Sequence, residues 1–293
     1  MIPAHLLPEL RELEVTTRRA MQTARLGPYT SRSSGPGFDF DQHLPYRAGD
    51  DVRRIDWNVT ARLNAPYLRQ THAERELDLV IAVDVSRSMQ VGSRPRSKRE
   101  VMTFVTASLL FSAAGAQINA GFLAFGDRVL RWSPPRHASG RSWQLLEELW
   151  DVQGVEAPTA LLPAVRHLSA ALQRTALVVL VSDFFTADDP FATAELRTLA
   201  AAHDVVAVVL DDPTDATLPD GRGYLRVRDV ETGGEMTVAL TPRNRRVYAE
   251  AVARHRRLIV DACFRLGMES VLVRSDEAIL QPLMDLFLRR KRG

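Results

Sequence analysis

The spacing of apolar residues changes character along this chain. From His5 to Leu26, Leu6, Leu7, Leu10, Leu13 and Val15 recur at helical spacing beside a mixed charged face, which predicts an amphipathic helix. Gly27 to Gly37 is rich in Gly, Ser and Pro and reads as a linker. Phe38 to Trp57 mixes aromatic residues with dense opposite charges and holds no long period. From Leu77 onward, short apolar runs alternate with longer segments of helical period, the signature of a mostly parallel sheet covered on both faces. Strands are expected near Leu79 to Val83, Ala120 to Phe125, Val129 to Trp132, Leu177 to Val181, Val205 to Leu210 and Ser270 to Val273. Helices are expected near Lys98 to Ala116, Ser142 to Trp150, Leu161 to Leu172, Ala192 to His203, Arg243 to Leu266 and Ala278 to Arg289. Tyr224 to Leu240 reads as a hairpin turning at Glu231-Thr232-Gly233-Gly234. The fold class that follows is α/β with a doubly wound, mostly parallel, Rossmann-like sheet and an N-terminal helical and irregular extension.

In such a sheet, ligands bind outside the carboxyl ends of the strands. The run Leu77 to Val83 ends in Asp84-Val85-Ser86-Arg87-Ser88, which puts a carboxylate and two hydroxyls at such an end. Alternation turns Asp84, Ser86 and Ser88 to one side. Further oxygens come from Thr159, in the loop from Gly154, and from Asp183, which ends the apolar run Leu177 to Ser182. This all-oxygen set suits Mg²⁺ or Mn²⁺ rather than zinc or copper. Ser and Asp behind a strand also serve as turn residues or helix N-caps, the simpler use of the same chemistry.

Composition narrows the classes. The 293 residues are 45% hydrophobic and 25% charged, enough for a sizeable core. A net charge of +2 leaves no electrostatic footprint for nucleic acid, and Arg289-Arg290-Lys291-Arg292 reads as a solvated tail. The single cysteine, Cys263, excludes an internal disulfide and any cysteine-based zinc cluster. Val101 to Phe125 is the most apolar segment, but its Thr, Ser, Gln and Asn residues and Gly115 point to a buried helix followed by a strand rather than a membrane span. Met1 to His5 shows no signal-peptide pattern, so a cytoplasmic protein without an integral membrane segment is expected.

The block Gly49-Asp50-Asp51-Val52-Arg53-Arg54-Ile55-Asp56-Trp57, then Ala61-Arg62, Glu74-Arg75-Glu76 and Asp84-Val85-Ser86-Arg87-Ser88-Met89, resembles the bacterial domain-of-unknown-function 58 family. Ser182-Asp183-Phe184, His203 to Val206, Leu218-Pro219 and Asp229 to Gly233 fit the same pattern, so the resemblance spans about Gly35 to Gly234. It implies a von Willebrand factor A-like domain whose Asp84, Ser86, Ser88, Thr159 and Asp183 form a metal-ion-dependent adhesion site. It also implies a place beside a MoxR-type AAA+ ATPase, as adaptor or co-chaperone in the maturation or assembly of other proteins. Many relatives carry amino-terminal membrane helices, a pattern not visible in this sequence. The Gly49 to Trp57 block itself reads either as a salt-bridged brace with Trp57 buried or as a partner surface, since Arg and Trp favour hot spots.

The expected division is residues 1–76, a helix and family-specific arm packed on the main domain, and residues 77–293, the von Willebrand factor A-like domain with the hairpin near 224–240. The leading function is a non-enzymatic, metal-dependent protein-binding module. A carboxylate from the ATPase or its client would complete the ion's shell. The alternative is a metal-dependent phosphoryl-transfer hydrolase of the haloacid dehalogenase type. That chemistry wants a second carboxylate two positions after the first, where this chain has Ser86. No Gly-x-Ser-x-Gly elbow and no Walker or Rossmann phosphate loop is present either.

Overall fold

The structure, a computed structural model, describes residues 1–23, 39–47, 50, 52, 55–63, 65–72, 77–90, 92, 95–152, 159–186, 188–228 and 234–290. They form two compact units: residues 1–24 with 77–293, and residues 25–76.

The larger unit is built on β3 (Asp78–Asp84), β4 (Asn119–Phe125), β5 (Val129–His137), β6 (Ala176–Ser182), β7 (Asp204–Asp211) and β10 (Glu269–Arg274). Their order is β10-β7-β6-β3-β4-β5, parallel throughout except for the edge strand β5. Edge position is what lets β5 carry Pro134 and Pro135, which cannot donate to a ladder. Gly121 faces that stretch: a Cβ there would lie 2.3 Å from the Ser133 carbonyl oxygen, and the β4–β5 register shifts between Ala120 and Phe122.

Period-two alternation sorts the strand residues onto two cores. Leu79, Ile81 and Val83 of β3 join one apolar cluster with side chains of α1 (Leu7–Thr23), α3 (Lys98–Gly115), α4 (Ser142–Asp151) and α9 (Leu280–Arg290). Val80 and Ala82 join the opposite cluster with α5 (Leu162–Ala171), α6 (Ala194–Ala202) and α8 (Pro242–Arg265). This two-sided burial is the expected doubly wound α/β fold. The helix expected at the amino terminus therefore packs against α3 through Leu6, Leu10 and Leu13. Its flank is tied by an Arg96–Glu9 ion pair of 2.6 Å and by the Trp143 Nε1–H donating to Glu14 Oε2 at 3.0 Å.

The apolar segment Val101 to Phe125 is α3 followed by β4, and no described helix is long and apolar enough to cross a membrane. A capping box starts α3. Ser97 Oγ accepts from the Glu100 amide, and the Glu100 carboxylate accepts from the Ser97 amide. Cys263 is buried in the second cluster, where desolvation pushes its thiol up to about 12 and leaves it inert. The expected hairpin is β8 (Tyr224–Arg228) against β9 (Glu235–Ala239), and residues 229–233 of its turn lie outside the described residues.

The smaller unit pairs β1 (Asp39–Pro45) antiparallel with β2 (Tyr67–His72) around α2 (Trp57–Leu63). Here the expected buried Trp57 is corrected, because Trp57 is 69% exposed. The physical reason lies next to it. Asp56 is used as an N-cap, its Oδ1 accepting from the amides of Asn58 and Val59 at 3.0 and 3.2 Å, which turns the first residue of α2 outward. Asp50 closes a turn by accepting from the Arg47 amide at 2.8 Å. Asp51, Arg53 and Arg54, the other members of the expected brace, lie outside the described residues.

Candidate functional site

The strand order reverses between β3 and β6, the two strands that lead to neighbouring helices on opposite sides. At such a switch point the chain leaves a crevice beyond the carboxyl ends. Val83 pairs with Val181, so Asp84 and Ser182 end these strands side by side. Asp84 is wholly buried. Its Oδ2 accepts from the Ser182 hydroxyl at 2.6 Å and its Oδ1 from the Ser86 amide at 2.9 Å. The hydroxyls of Ser86 and Ser88 are 3.1 Å apart, so the Asp-x-Ser-x-Ser loop folds its three polar side chains together, as alternation predicts.

Asp183 follows Ser182 directly and is 2% exposed. Phe184 then takes a left-handed conformation, φ 56°, uncommon for a residue with a Cβ. The sharp turn lets the Phe184 amide donate to Ser182 Oγ at 2.9 Å and the Phe185 amide to Asp183 Oδ1 at 3.1 Å. Phe184 is itself buried, and Phe185 stacks on His255 of α8, ring centroids 4.2 Å apart. Thr159 is wholly buried, and its segment is anchored beside the end of β4 by the Ala160 amide donating to the Gly126 carbonyl at 2.9 Å.

The structure therefore brings Asp84, Ser86 and Ser88 into one hydrogen-bonded loop, with Asp183 near enough to act on Asp84 through its charge. Burial and then the Asp183 charge push the Asp84 carboxyl up to about 7, against the hydrogen bonds from Ser182 and Ser86. Among the described residues no three His, Cys, Asp or Glu side chains gather into a metal cluster. The candidate donor set is instead two carboxylates and hydroxyls. That chemistry fits a hard divalent cation: two buried carboxylates side by side gain from a positive charge, and hydroxyl oxygens are hard ligands.

Three contributors were missed from the sequence. Ser182 is bonded to Asp84. The Lys98 ammonium is 2.9 Å from Asp183 Oδ2 and 2.7 Å from Asp215 Oδ2, with its side chain only 3% exposed. Burial opposes the Lys98 charge, but Asp183 and Asp215 outweigh it and hold the group above its ordinary range. Asp215, in the short α7 (Pro213–Ala216), is pushed up by burial despite the lysine. One signal was available. Lys98 opens a helix that is apolar nearly all round, and a cation at a helix N-terminus opposes the dipole. Such a lysine needs carboxylates nearby.

The family profile described as "Protein of unknown function DUF58" matches residues 42–258. The chain belongs to the DUF58 family. An uncharacterized protein of Mycobacterium tuberculosis is 30% identical over 288 residues, 97% of this chain and 89% of that protein. The chain is also similar to the conserved hypothetical protein BatB of Bacteroides thetaiotaomicron, at 17% identity and TM-score 0.47, over 73% of this chain and 98% of that one. The VWA domain of SpRpn10 aligns at 16% identity and TM-score 0.36, over 46% of this chain and 76% of that one.

Proposed function

We propose that this DUF58 protein is a metal-dependent protein-binding module of von Willebrand factor A type, acting without turnover in the cytoplasm. In this reading Mg²⁺ or Mn²⁺ is held by Asp84, Ser86, Ser88, Thr159 and Asp183. When bound, the ion supplies an open coordination position for a carboxylate of the partner, a MoxR-type AAA+ ATPase or its client. The observation that carries the reading is Asp84: a wholly buried carboxylate that, among the described residues, has only neutral donors on its own oxygens, beside a second buried carboxylate. Ser86 and Ser88 lie on the same turn, with their hydroxyls together. Ser182 and the Ser86 amide orient Asp84 so that its loop is preformed, and Phe184 turns the chain to present Asp183 beside it.

The phosphoryl-transfer alternative needs a lysine beside the nucleophilic carboxylate and an acid two positions on. Lys98 is engaged by Asp183 and Asp215 rather than by Asp84, and the second position is Ser86. Both features favour the binding reading.

The test is calorimetry of Mg²⁺ and Mn²⁺ on the purified chain, followed by capture of a MoxR-type ATPase with and without chelator. Asp84→Ala should abolish ion binding while circular dichroism stays unchanged. Chelation or Ser86→Ala should weaken capture, since a charge-assisted contact contributes about 1.5–3 kcal/mol. Unchanged ion affinity in Asp84→Ala refutes the metal assignment. Metal-dependent phosphatase turnover that disappears in Asp84→Ala would replace this reading with the enzyme.

A further inference from the structure

Lys98 is an unusual residue for its position. It occupies the first turn of α3, where four backbone N–H groups already present partial positive charge. It is buried, although lysine is almost never buried unless paired. Both of its carboxylate partners come from elsewhere in the fold: Asp183 from the end of β6 and Asp215 from α7, which follows β7. Asp84, by contrast, is met among the described residues by neutral donors alone, the Ser182 hydroxyl and the Ser86 hydroxyl and amide. The two strand-end carboxylates of the candidate site are thus compensated differently, and the cation reaching Asp183 belongs to the chain itself.

We infer that Lys98 is the tethered cation of this site: its ammonium takes up part of the negative charge of Asp183 and ties it to Asp215, and so sets how strongly a divalent ion is held. This rests on the metal reading above and deepens it. A divalent ion drawn to Asp84 and Asp183 must share Asp183 with the Lys98 ammonium. Its affinity is lowered by repulsion from that charge. Occupancy of the site is then coupled to the 211–216 segment through the Lys98–Asp215 contact. The short chain of groups continues there: Asp211 pairs with Arg256 of α8, and Asp212 accepts from Ser275 Oγ at 2.6 Å beyond β10. Lys98 is in this sense a specificity-determining residue: it favours an ion that tolerates a weak, shared carboxylate and leaves the ion with unsatisfied charge for a partner's anion.

The sign of one substitution separates this role from a purely structural one. If Lys98 only positions Asp183, Lys98→Met disorders the carboxylate and weakens ion binding. If it is the competing cation, Lys98→Met frees Asp183 and Mn²⁺ binds at least tenfold more tightly by calorimetry. Lys98→Arg, which keeps the charge, should show no gain. Melting curves supply a second readout: Mn²⁺ should raise the melting temperature of Lys98→Met by more than that of the wild-type chain. The double variant Lys98→Met/Asp215→Asn keeps the wild-type net charge, leaves fewer uncompensated carboxylates, and should still bind Mn²⁺ more tightly. It guards against a single variant that folds only with the ion.

The outcomes are distinguishable. Tighter binding by both methionine variants supports the inference. Binding by wild type with equal or weaker binding by both variants overturns it and leaves the metal reading intact. No binding by wild type with clear binding by either variant overturns the metal reading for the native chain and supports the tethered cation. No binding by any of them overturns both.

Discussion

The carboxyl ends of β3 and β6 lie side by side, end in a carboxylate each, and solve the burial of that charge in opposite ways. At β3, Asp84 is met by neutral donors from its own loop and from the adjacent strand, and it is pushed up to about 7. At β6, Asp183 is met by an ammonium from 85 positions away in the chain. Hydrogen bonds from hydroxyl and amide groups orient a buried carboxylate but do not neutralise it, whereas a lysine does both. One end therefore remains short of positive charge, and that shortage marks it as the place where an external cation would gain most.

The largest effect should come from breaking the charged end. Asp183→Ala leaves the buried Lys98 ammonium with Asp215 alone and should destabilise the chain by about 3 kcal/mol or more in denaturant unfolding. Asp84→Asn in chelated buffer should be neutral or stabilising, because it removes a charge that has no counter-charge. Equal losses in the two variants would abolish the contrast between the strand ends. Ser182→Ala should cost about 1.5–3 kcal/mol through the lost hydrogen bond to a carboxylate, and much less when made on top of Asp84→Asn.

A pH series sharpens the same contrast. The folded Asp84 carboxyl titrates near 7, above its ordinary 3.8, so the folded state holds its proton more tightly than the unfolded chain. In metal-free protein its contribution is therefore fully present below 3.8 and is lost as pH rises through about 7. Other shifted groups share the window, so the measurement is the difference between the wild-type and Asp84→Asn stability curves. That difference should grow from pH 4 toward pH 8, with the variant the more stable; a flat difference contradicts the uncompensated charge. The smallest effect is expected in the other unit. Trp57→Ala should change unfolding stability by no more than about 0.5 kcal/mol, because its ring is exposed.

The sheet was legible because its strands are short continuous apolar runs: Leu79 to Val83 has no polar face, since Leu79, Ile81 and Val83 enter one core and Val80 and Ala82 the other. The helices carried caps as well as periods, as Ser97 and Glu100 do for α3. The smaller unit was less legible. Its β1–β2 pairing joins residues 39–45 to residues 67–72 across an intervening helix, and neither strand has a clean alternation. From the sequence Asp56 reads only as an ion-pair partner because its neighbours are charged, and the cap it also makes on α2 goes unread.

Local chemistry alone determined that Asp84, Ser86 and Ser88 face one way, because side-chain direction along a short loop depends on the backbone of those few residues. It also determined that Asp84 and Asp183 end buried strands, since each closes an apolar run. Only the tertiary structure decided what meets those carboxylates. Strand register put the Ser182 hydroxyl on Asp84, and the packing of α3 and α7 around the sheet brought Lys98 between Asp183 and Asp215. Such partnerships join residues 85 to 117 positions apart, from Lys98–Asp183 to Lys98–Asp215. No local period encodes them. They depend on which strand ends the fold places together.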